Sequence, residues 1–272
     1  MKDPAHRLKD KIIFVTGSSR GIGRAIALKA AEEGADVIVH YSSSAAQAEE
    51  VAGRIESMGR RTYVVRGDWS VPAEVLKSCE EAWKAFGKID ILVNNAGLNL
   101  KKHFLETKIE DFDTVFGVNV KGTFLTTHTI AHLMVAARIE GQILTVTSIN
   151  GIRPGAGFSV YGATKGALEM MMKGAALDLS PHGIRVNTIA AGAVRTDMNA
   201  DVVADPERLK IAVNSIPMKR IADPEEIADI TCAIASSSGS YMTGSTILVD
   251  GGMNLIRGHS FAKPYPPDRG AR

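Results

Sequence analysis

The apolar positions of this chain fall into short runs that alternate with longer amphipathic stretches. Seven runs rich in β-branched residues read KIIFVT, ADVIVH, RTYVVR, KIDILVNN, GQILTVTS, GIRVNTI and STILVD. The segments between them space their apolar residues three or four positions apart, which is the period of a helix. Strands that are apolar almost throughout and alternate with helices are typical of a parallel sheet covered on both faces. We therefore predict an α/β fold with a doubly wound, seven-stranded parallel sheet and helices on both faces.

The helical period predicts helices over residues 22–33, 45–58, 72–86, 109–139, 161–179 and 224–235. Glycines at 34, 59 and 87 supply stop signals. The pattern ends at FAKPYPPDRGAR, whose three prolines exclude a helix or a central strand. We predict one catalytic domain over residues 1–254 and a proline-containing basic extension over residues 255–272.

Composition indicates an ordinary soluble globular protein, with 45% apolar and 23% charged residues among 272. The formal net charge is +2, and the extension concentrates Arg257, Lys263, Arg269 and Arg272 against a single acid, Asp268. Without interleaved aromatic residues these cations favour a solvated or subunit-crossing tail over a nucleic-acid contact.

The location of the protein is predicted from its cysteines and its start. Cys79 and Cys232 are far apart in helix-like segments, as expected of packed thiols in a reducing compartment. The start MKDPAHRLKD lacks the apolar core of a signal peptide, and no apolar run is long enough to cross a bilayer. We predict a cytoplasmic protein with no membrane partner.

The stretch FVTGSSRGIGRAIA places Gly17, Gly21 and Gly23 between the first strand and a helix. Glycines there permit a tight turn and bring backbone N–H groups close to a pyrophosphate at the positive helix end. A purely structural turn is the alternative, and the position in the first βαβ unit favours nucleotide binding.

The end of the second strand predicts which dinucleotide binds. Proteins that prefer NAD usually place a carboxylate there, whereas this chain has His40, Tyr41, Ser42 and Ser43. Arg20 in the glycine loop can donate to a 2′-phosphate, with the serine hydroxyls assisting. We predict NADP(H) as the preferred cofactor, with NAD possible. In the alternative interpretation Arg20 is a solvated cation and the serines cap the next helix.

A tyrosine and a lysine four residues apart, Tyr161 and Lys165, predict acid/base chemistry. At helical spacing they share a face, and a phenol that titrates near pH 10 needs a neighbouring cation to work at neutral pH. Ser148, at the end of the fifth strand, can hydrogen-bond a reacting oxygen. Taken singly, such residues are more often a surface pair and a cap.

These motifs in this order resemble the short-chain dehydrogenase/reductase family. The resemblance rests on TGSSRGIG, on NNAG (94–97) and on Ser148, Tyr161 and Lys165, and it runs from about residue 8 to residue 253. It implies a Rossmann-like domain, usually a homotetramer, that moves a hydride between NAD(P) and a carbonyl or alcohol. It also implies that Tyr161 is the general acid/base, Lys165 its activating cation, Ser148 the donor to the substrate oxygen and Asn119 a member of the proton relay.

The resemblance further implies a cofactor-binding set. Asp68 would lie by the adenine, Thr196 by the carboxamide, and Asn95 would hold the sheet. The full set is Gly17, Ser19, Arg20, Gly21, Ile22, Gly23, Tyr41, Ser42, Ser43, Asp68, Trp69, Asn95, Ala96, Gly97, Tyr161, Lys165, Val194 and Thr196. Two departures are Ala191, where many members have proline, and Trp69, which either covers the adenine or belongs to the core.

The segment 197–253 most resembles glucose 1-dehydrogenases and related sugar and polyol enzymes. The predicted substrate residues are Ser148, Asn150, Arg153 and Tyr161, and Arg153 suits an acidic substrate. One alternative is a 3-oxoacyl carrier-protein reductase, and another is a non-catalytic dinucleotide-binding sensor or scaffold. His128 and His132 have the spacing of a metal pair but no matching third ligand nearby, so no metal is predicted.

Overall fold

The computed structural model describes residues 6–255. Its strands are β1 (Ile12–Val15), β2 (Asp36–Tyr41), β3 (Thr62–Arg66), β4 (Ile91–Asn94), β5 (Gln142–Ser148), β6 (Arg185–Ala191) and β7 (Thr246–Val249). Its α-helices are α1 (Gly21–Glu32), α2 (Ala45–Ser57), α3 (Pro72–Phe86), α4 (Ile109–Phe116), α5 (Thr123–Ala136), α6 (Ser159–Leu179), α7 (Ala200–Ala204), α8 (Pro206–Asn214) and α9 (Pro224–Ala235). Apart from Leu255, the predicted extension lies outside the described residues.

All seven strands form one parallel sheet in the order β3-β2-β1-β4-β5-β6-β7. Alternate residues of each strand face opposite sides. Ile13 and Val15 pack with α1, α2 and α9, whereas Ile12 and Phe14 pack with α3, α5 and α6. The two apolar layers confirm the predicted doubly wound fold.

The chain reverses its winding direction between β1 and β4, which are neighbours in the sheet but not in sequence. A crevice opens at the carboxyl ends of strands at such a switch point, and ligands of open α/β sheets bind there. The loops that follow β1 and β4 carry the glycine motif and the NNAG motif. The fold therefore brings the two motifs to one crevice.

The two outer strands are less buried than the uniform apolar pattern suggests. In β3, Tyr63 is 40% exposed, and in β7, Leu248 is 43% exposed. Both strands lie at an edge of the described sheet, where covering helices protect only part of each face.

The predicted helical region 109–139 is divided by a π-helical segment, Gly117–Gly122. A Cβ atom at Gly122 would lie 2.7 Å from the carbonyl oxygen of Trp69, so only glycine lets the helix pass this close. Such interruptions occur frequently at functional sites. The short helices α7 and α8 were not predicted from the sequence.

Cys79 and Cys232 are free and buried, as predicted. Across residues 6–255, no helix combines the length and the apolar character that a membrane crossing needs.

Candidate active site

The loop after β1 has the backbone geometry that its glycines predict. Gly17 and Gly21 have φ angles of +64° and +56°, which favour glycine, and a Cβ atom at Gly23 would collide with the carbonyl of Gly17. No side chain caps the start of α1, and its first turn contains no acidic residue. The N–H groups of this turn can therefore bind a phosphate.

Hydrogen bonds from Thr16 and Asn95 join the loop after β1 to the loop after β4. The Thr16 hydroxyl accepts from the backbone N–H groups of Asn95 (2.9 Å) and Ala96 (3.0 Å). The Asn95 amide donates to the carbonyls of Thr16 and Gly17, each at 3.0 Å. Asn95 thus joins the two loops at the switch point, and Thr16 is a partner that sequence reasoning missed.

His40, named above for its place at the end of β2, has a structural role that sequence reasoning missed. Its Nδ1 accepts from the N–H of Gly17 at 2.8 Å, and its Nε2 lies 3.0 Å from the carbonyl oxygen of Gly67. The first bond requires an unprotonated Nδ1, so Nε2 donates the second. Burial lowers the pKa of His40 to about 4, so the imidazole is neutral at pH 7. The ring links the glycine loop after β1 to the turn after β3.

The predicted adenine side lies next to that turn. The Asp68 carboxylate accepts from both the hydroxyl (2.7 Å) and the N–H (2.8 Å) of Ser70, and these bonds hold the pKa of Asp68 below its usual range. Trp69 is 4% exposed, and its ring centroid lies 3.7 Å from that of His40. Of the two interpretations of Trp69, the structure supports a side chain within the core.

The cations near the end of β2 are only partly those that were predicted. Ser42 and Ser43 are exposed, and no carboxylate stands among them. Arg20 lies 3.9 Å from Asp197, and both side chains are about two-thirds exposed. Arg66, at the end of β3, donates to the carbonyl of Ser42 at 3.4 Å. Arg66 is therefore a second candidate for a 2′-phosphate contact.

The predicted catalytic group assembles at the end of β5 and the start of α6. Ser148 is buried at the end of β5, where its hydroxyl accepts from the N–H of Asn150 at 3.2 Å. Tyr161 is half-buried in the first turn of α6, and the Nζ of Lys165 lies 5.7 Å from the centroid of its ring. Because these side chains meet at one point, a substrate oxygen there can contact both hydroxyls.

The pKa values of Tyr161 and Lys165 differ from those of the free side chains. Burial raises the pKa of Tyr161, and a hydrogen bond with Ser148 partly opposes this rise. Burial lowers the pKa of Lys165 to about 8, while the negative charge of Glu169 opposes the fall. A fixed ammonium beside a phenol is the arrangement required to stabilise a phenolate.

Asn119 occupies the middle of the π-helical segment and is fully buried. Its Oδ1 accepts from the N–H of Leu98 at 2.7 Å, and its Nδ2 donates to the Leu98 carbonyl (2.9 Å) and to the Thr164 hydroxyl (3.0 Å). A Cβ atom at Gly97 would lie 3.2 Å from this Oδ1 and 3.6 Å from Nζ of Lys165. The side chain of Asn119 therefore fixes the loop after β4 close to Lys165.

Two predicted substrate residues, Arg153 and Asn150, lie at the rim of the site. A guanidinium N–H of Arg153 donates to the carbonyl of Met253. Asn150 lies in the turn after Ser148, where a Cβ atom at Gly162 would come within 2.6 Å of its carbonyl oxygen. This close approach accounts for the small residue at 162, at the start of α6.

The remaining predicted cofactor residues surround the same crevice. Ser19 is buried in the glycine loop, Ile22 packs on the core, and Val194 forms a bridge with Ala222. A Cβ atom at Gly21 would lie 3.4 Å from the Thr196 methyl group, so the loop after β6 faces the glycine loop. The residues around the crevice could thus hold an extended dinucleotide between β2 and the catalytic group.

His128 and His132 face each other on α5, away from this crevice, with their Nε2 atoms 3.2 Å apart. In the described part of the chain, no group of three potential metal ligands occurs.

Comparison with known proteins places these features in context. A family model described as enoyl-(acyl carrier protein) reductase matches residues 17–254. The chain is 35% identical over 246 residues to L-rhamnose 1-dehydrogenase (NAD(P)(+)) of Sphingomonas sp. (strain SKA58), covering 90% of this chain and 97% of that protein. It is 36% identical to 3beta-hydroxysteroid dehydrogenase 1 of Eggerthella lenta (94% and 98% covered) and to glucose 1-dehydrogenase 2 of Bacillus subtilis (91% and 96% covered).

Solved structures show the same architecture. A short-chain dehydrogenase from Burkholderia cenocepacia J2315 in complex with NADP is 34% identical, with a TM-score of 0.85, and the match covers 92% of this chain and all of that one. A blue fluorescent protein from a metagenomic library in complex with NADPH is also 34% identical with a TM-score of 0.85, covering 91% and 99%.

Proposed function

The chain belongs to the short-chain dehydrogenase/reductase family, and from this premise we propose that it is an NADP(H)-preferring oxidoreductase of a sugar, polyol or related hydroxylated compound. The observation that carries this proposal is the convergence of Ser148, Tyr161 and Lys165 at the crevice beside the glycine loop. The sugar class is supported by the relatives named for rhamnose and glucose. The steroid relative makes a hydroxysteroid the first competing substrate.

The residues of the site divide the reaction between them. The nicotinamide, when bound, supplies or accepts the hydride. In the oxidising direction the Tyr161 phenolate takes the proton of the substrate hydroxyl, and in the reducing direction the phenol returns it. Ser148 donates a hydrogen bond to the same oxygen, and the Lys165 ammonium stabilises the phenolate.

The preference for NADP(H) follows from the charges at the end of β2. An adenosine ribose that carries a 2′-phosphate meets serine hydroxyls and no carboxylate there, and Arg20 and Arg66 are the nearby cations. The pair between Arg20 and Asp197 is long and exposed, so it holds Arg20 only weakly. Arg20 is therefore free to turn toward a phosphate.

Two other functions compete with this proposal. A 3-oxoacyl carrier-protein reductase would share the catalytic group and would need a cationic surface for the carrier protein. A non-catalytic sensor or scaffold would bind the dinucleotide without turnover. The buried Lys165 beside Tyr161 weighs against a sensor, because binding alone does not need a tuned phenol.

The test begins with fluorescence titrations of NADPH and NADH, followed by turnover of L-rhamnose, D-glucose, polyols, a 3β-hydroxysteroid and a 3-oxoacyl thioester. Tighter NADPH binding with oxidation of a sugar or polyol is the expected result. Tighter NADH binding contradicts the 2′-phosphate assignment, and turnover of the thioester alone supports the carrier-protein reductase. If cells that carry Tyr161→Phe in place of the wild-type protein show no change of phenotype, although the variant has no turnover, the result supports the sensor.

We further propose that the protein is a homotetramer, as in much of the family. An apolar groove of about 450 Å³ runs between α5 and α6, lined by residues such as Phe124, Val135 and Met171. A Cβ atom added at Gly174 in this region would meet no atom within 4 Å, which leaves room for another helix, whereas one at Gly162 would meet the Asn150 carbonyl of the same chain. Light scattering of the purified protein tests the assembly.

A further inference from the structure

Glu169 is a buried carboxylate that none of the proposed chemical steps uses. It lies in α6, one helical turn after Lys165, and is 7% exposed. Three threonine hydroxyls donate hydrogen bonds to it, those of Thr147, Thr188 (2.6 Å) and Thr246. A carboxylate only accepts hydrogen bonds, so three donors match its ionised form.

The three threonines come from three neighbouring strands, β5, β6 and β7, on the side of the sheet that carries Ser148. Thr147 immediately precedes Ser148 in β5, while Thr188 of β6 lies opposite Thr246 of β7 in the sheet register. One carboxylate therefore joins α6 to β5, β6 and β7 beneath the catalytic group. A shift of Glu169 would move both the helix that carries Lys165 and the strand that carries Ser148.

The surroundings of Lys165 make the charge of Glu169 important. Lys165 is 5% exposed, and its Nζ donates to the Val146 carbonyl at 3.1 Å. Burial favours the neutral amine, and Glu169 is the charged side chain that opposes this effect. The other groups near Nζ carry no charge at neutral pH: the ring of Tyr161, the carbonyl of Val146, the side chain of Asn119 and the backbone of Gly97.

We propose that Glu169 is a positioning residue of the reaction, whose carboxylate anchors α6 to three strands and favours the ammonium form of Lys165 beside Tyr161. The inference rests on the proposed function of this site. Glu169 touches neither substrate nor cofactor and acts through Lys165. The fold thus places a second charge behind the catalytic cation.

The direct test is an NMR titration of the Lys165 side chain in protein labelled with ¹³C-lysine, assigned by comparison with Lys165→Met. Glu169→Gln removes the charge and keeps the shape, so the Lys165 titration midpoint is expected to fall by about one pH unit. At pH 7 this leaves roughly half of Lys165 neutral, and turnover falls about twofold. An unchanged midpoint overturns the proposal.

Thr246→Val is the matched control, because it removes one hydroxyl from the same cluster and keeps the charge. We expect it to lower the thermal unfolding temperature and to leave the Lys165 titration unchanged. If Thr246→Val shifts the midpoint as far as Glu169→Gln does, the role of Glu169 is structural only, and the proposal is wrong.

A second variant covers the case in which Glu169→Gln does not fold. Glu169→Asp keeps the charge and withdraws it by one methylene, so the Lys165 midpoint should stay within about half a pH unit of the wild-type value. A fall of about one pH unit or more, although the charge is kept, contradicts the proposal. The titration needs no substrate. A failure of the proposed function appears instead as a wild-type protein that turns over no compound of the panel.

Discussion

The two halves of the sheet use buried polar side chains in different ways. In the half formed by β1, β2 and β3, His40 is neutral, and both of its ring nitrogens bond to backbone groups of Gly17 and Gly67. In the half formed by β5, β6 and β7, Lys165 and Glu169 lie one helical turn apart in α6, and the negative charge of Glu169 opposes the fall in the pKa of Lys165. The buried polar group of the first half is neutral and holds backbone in place, whereas the second half buries charged groups beside the proposed acid/base Tyr161.

The difference follows from what each half is proposed to do. A dinucleotide brings its own charges, and backbone N–H groups bind them best when the loop is already fixed, which a neutral imidazole achieves. Proton transfer at neutral pH instead requires side chains whose protonation is tuned by burial and by neighbouring charges. Variants in one half should therefore change binding, and variants in the other should change chemistry.

The largest expected effect is a loss of turnover with no loss of cofactor binding. Tyr161→Phe removes the hydroxyl that is proposed to exchange a proton with the substrate, and turnover should fall by about a thousandfold. Its NADPH dissociation constant should stay within a few-fold of the wild-type value, because the phosphate loop and the end of β2 are unchanged. Stopped-flow turnover and fluorescence titration measure the two quantities.

Tyr63→Phe is the control for this variant, since it removes a phenolic hydroxyl from an exposed position on β3. It should retain wild-type turnover. Substantial turnover by Tyr161→Phe would show that the proton passes through another group.

The second effect is the pH dependence of the free energy of unfolding, which we expect His40, in the half formed by β1, β2 and β3, to increase. The pKa of His40 is about 4 in the folded protein against 6.5 ordinarily, so between these pH values the unfolded chain binds a proton that the folded protein does not. The contribution of His40 is therefore complete above pH 6.5 and is lost as the pH falls toward 4. Between pH 7 and pH 5 the free energy of unfolding should fall by about 2 kcal/mol from this group alone.

His40→Asn cannot titrate, so its free energy of unfolding should lose about 2 kcal/mol less than that of the wild type over the same interval. Urea unfolding at pH 7 and pH 5 measures the difference. The exposed His103→Asn should keep the wild-type dependence on pH. An equal loss in wild type and His40→Asn would mean that His40 is protonated in the folded protein.

The sequence alone was sufficient for the seven strands of the parallel sheet and for the longer helices. Strand and helix periods reflect local burial, and the glycine, tyrosine and lysine motifs depend on short spacings within one element. His40, Thr16 and Glu169 escaped because their roles come from contacts between residues far apart in the chain. His40 reaches Gly67, and Glu169 reaches Thr246, 77 positions away.

The π-helical segment around Asn119, which divides the predicted helix, could not be predicted from the sequence for a related reason. Its sequence, GVNVKG, continues an acceptable helical pattern, and nothing local signals a change of pitch. The side-chain bonds of Asn119 to Leu98 and Thr164 lie outside that helix. Tertiary contacts therefore account for what the periodicity could not predict.

A smaller effect distinguishes the two cofactors within the first half. Arg20→Ala should weaken NADPH binding about tenfold and leave NADH binding nearly unchanged, because only NADPH carries a 2′-phosphate. Arg54→Ala, on the exposed side of α2, is the control and should change neither affinity. If both cofactors weaken equally, Arg20 contacts the pyrophosphate, and Arg66 becomes the candidate for the 2′-phosphate.

The smallest predicted effect lies where the two halves touch. Asp197, in the loop after β6, lies 3.9 Å from Arg20, in the loop after β1, and the exposed pair is worth only a fraction of 1 kcal/mol. Asp197→Ala should release Arg20 and tighten NADPH binding about twofold at low salt, with no gain for NADH and none at high salt. Asp201→Ala removes a nearby acid that pairs with Arg208 and serves as the control. A gain of the same size for NADH would mean that Asp197 repels the pyrophosphate, which both cofactors carry. The loop after β6 would then act on cofactor binding directly and not through Arg20.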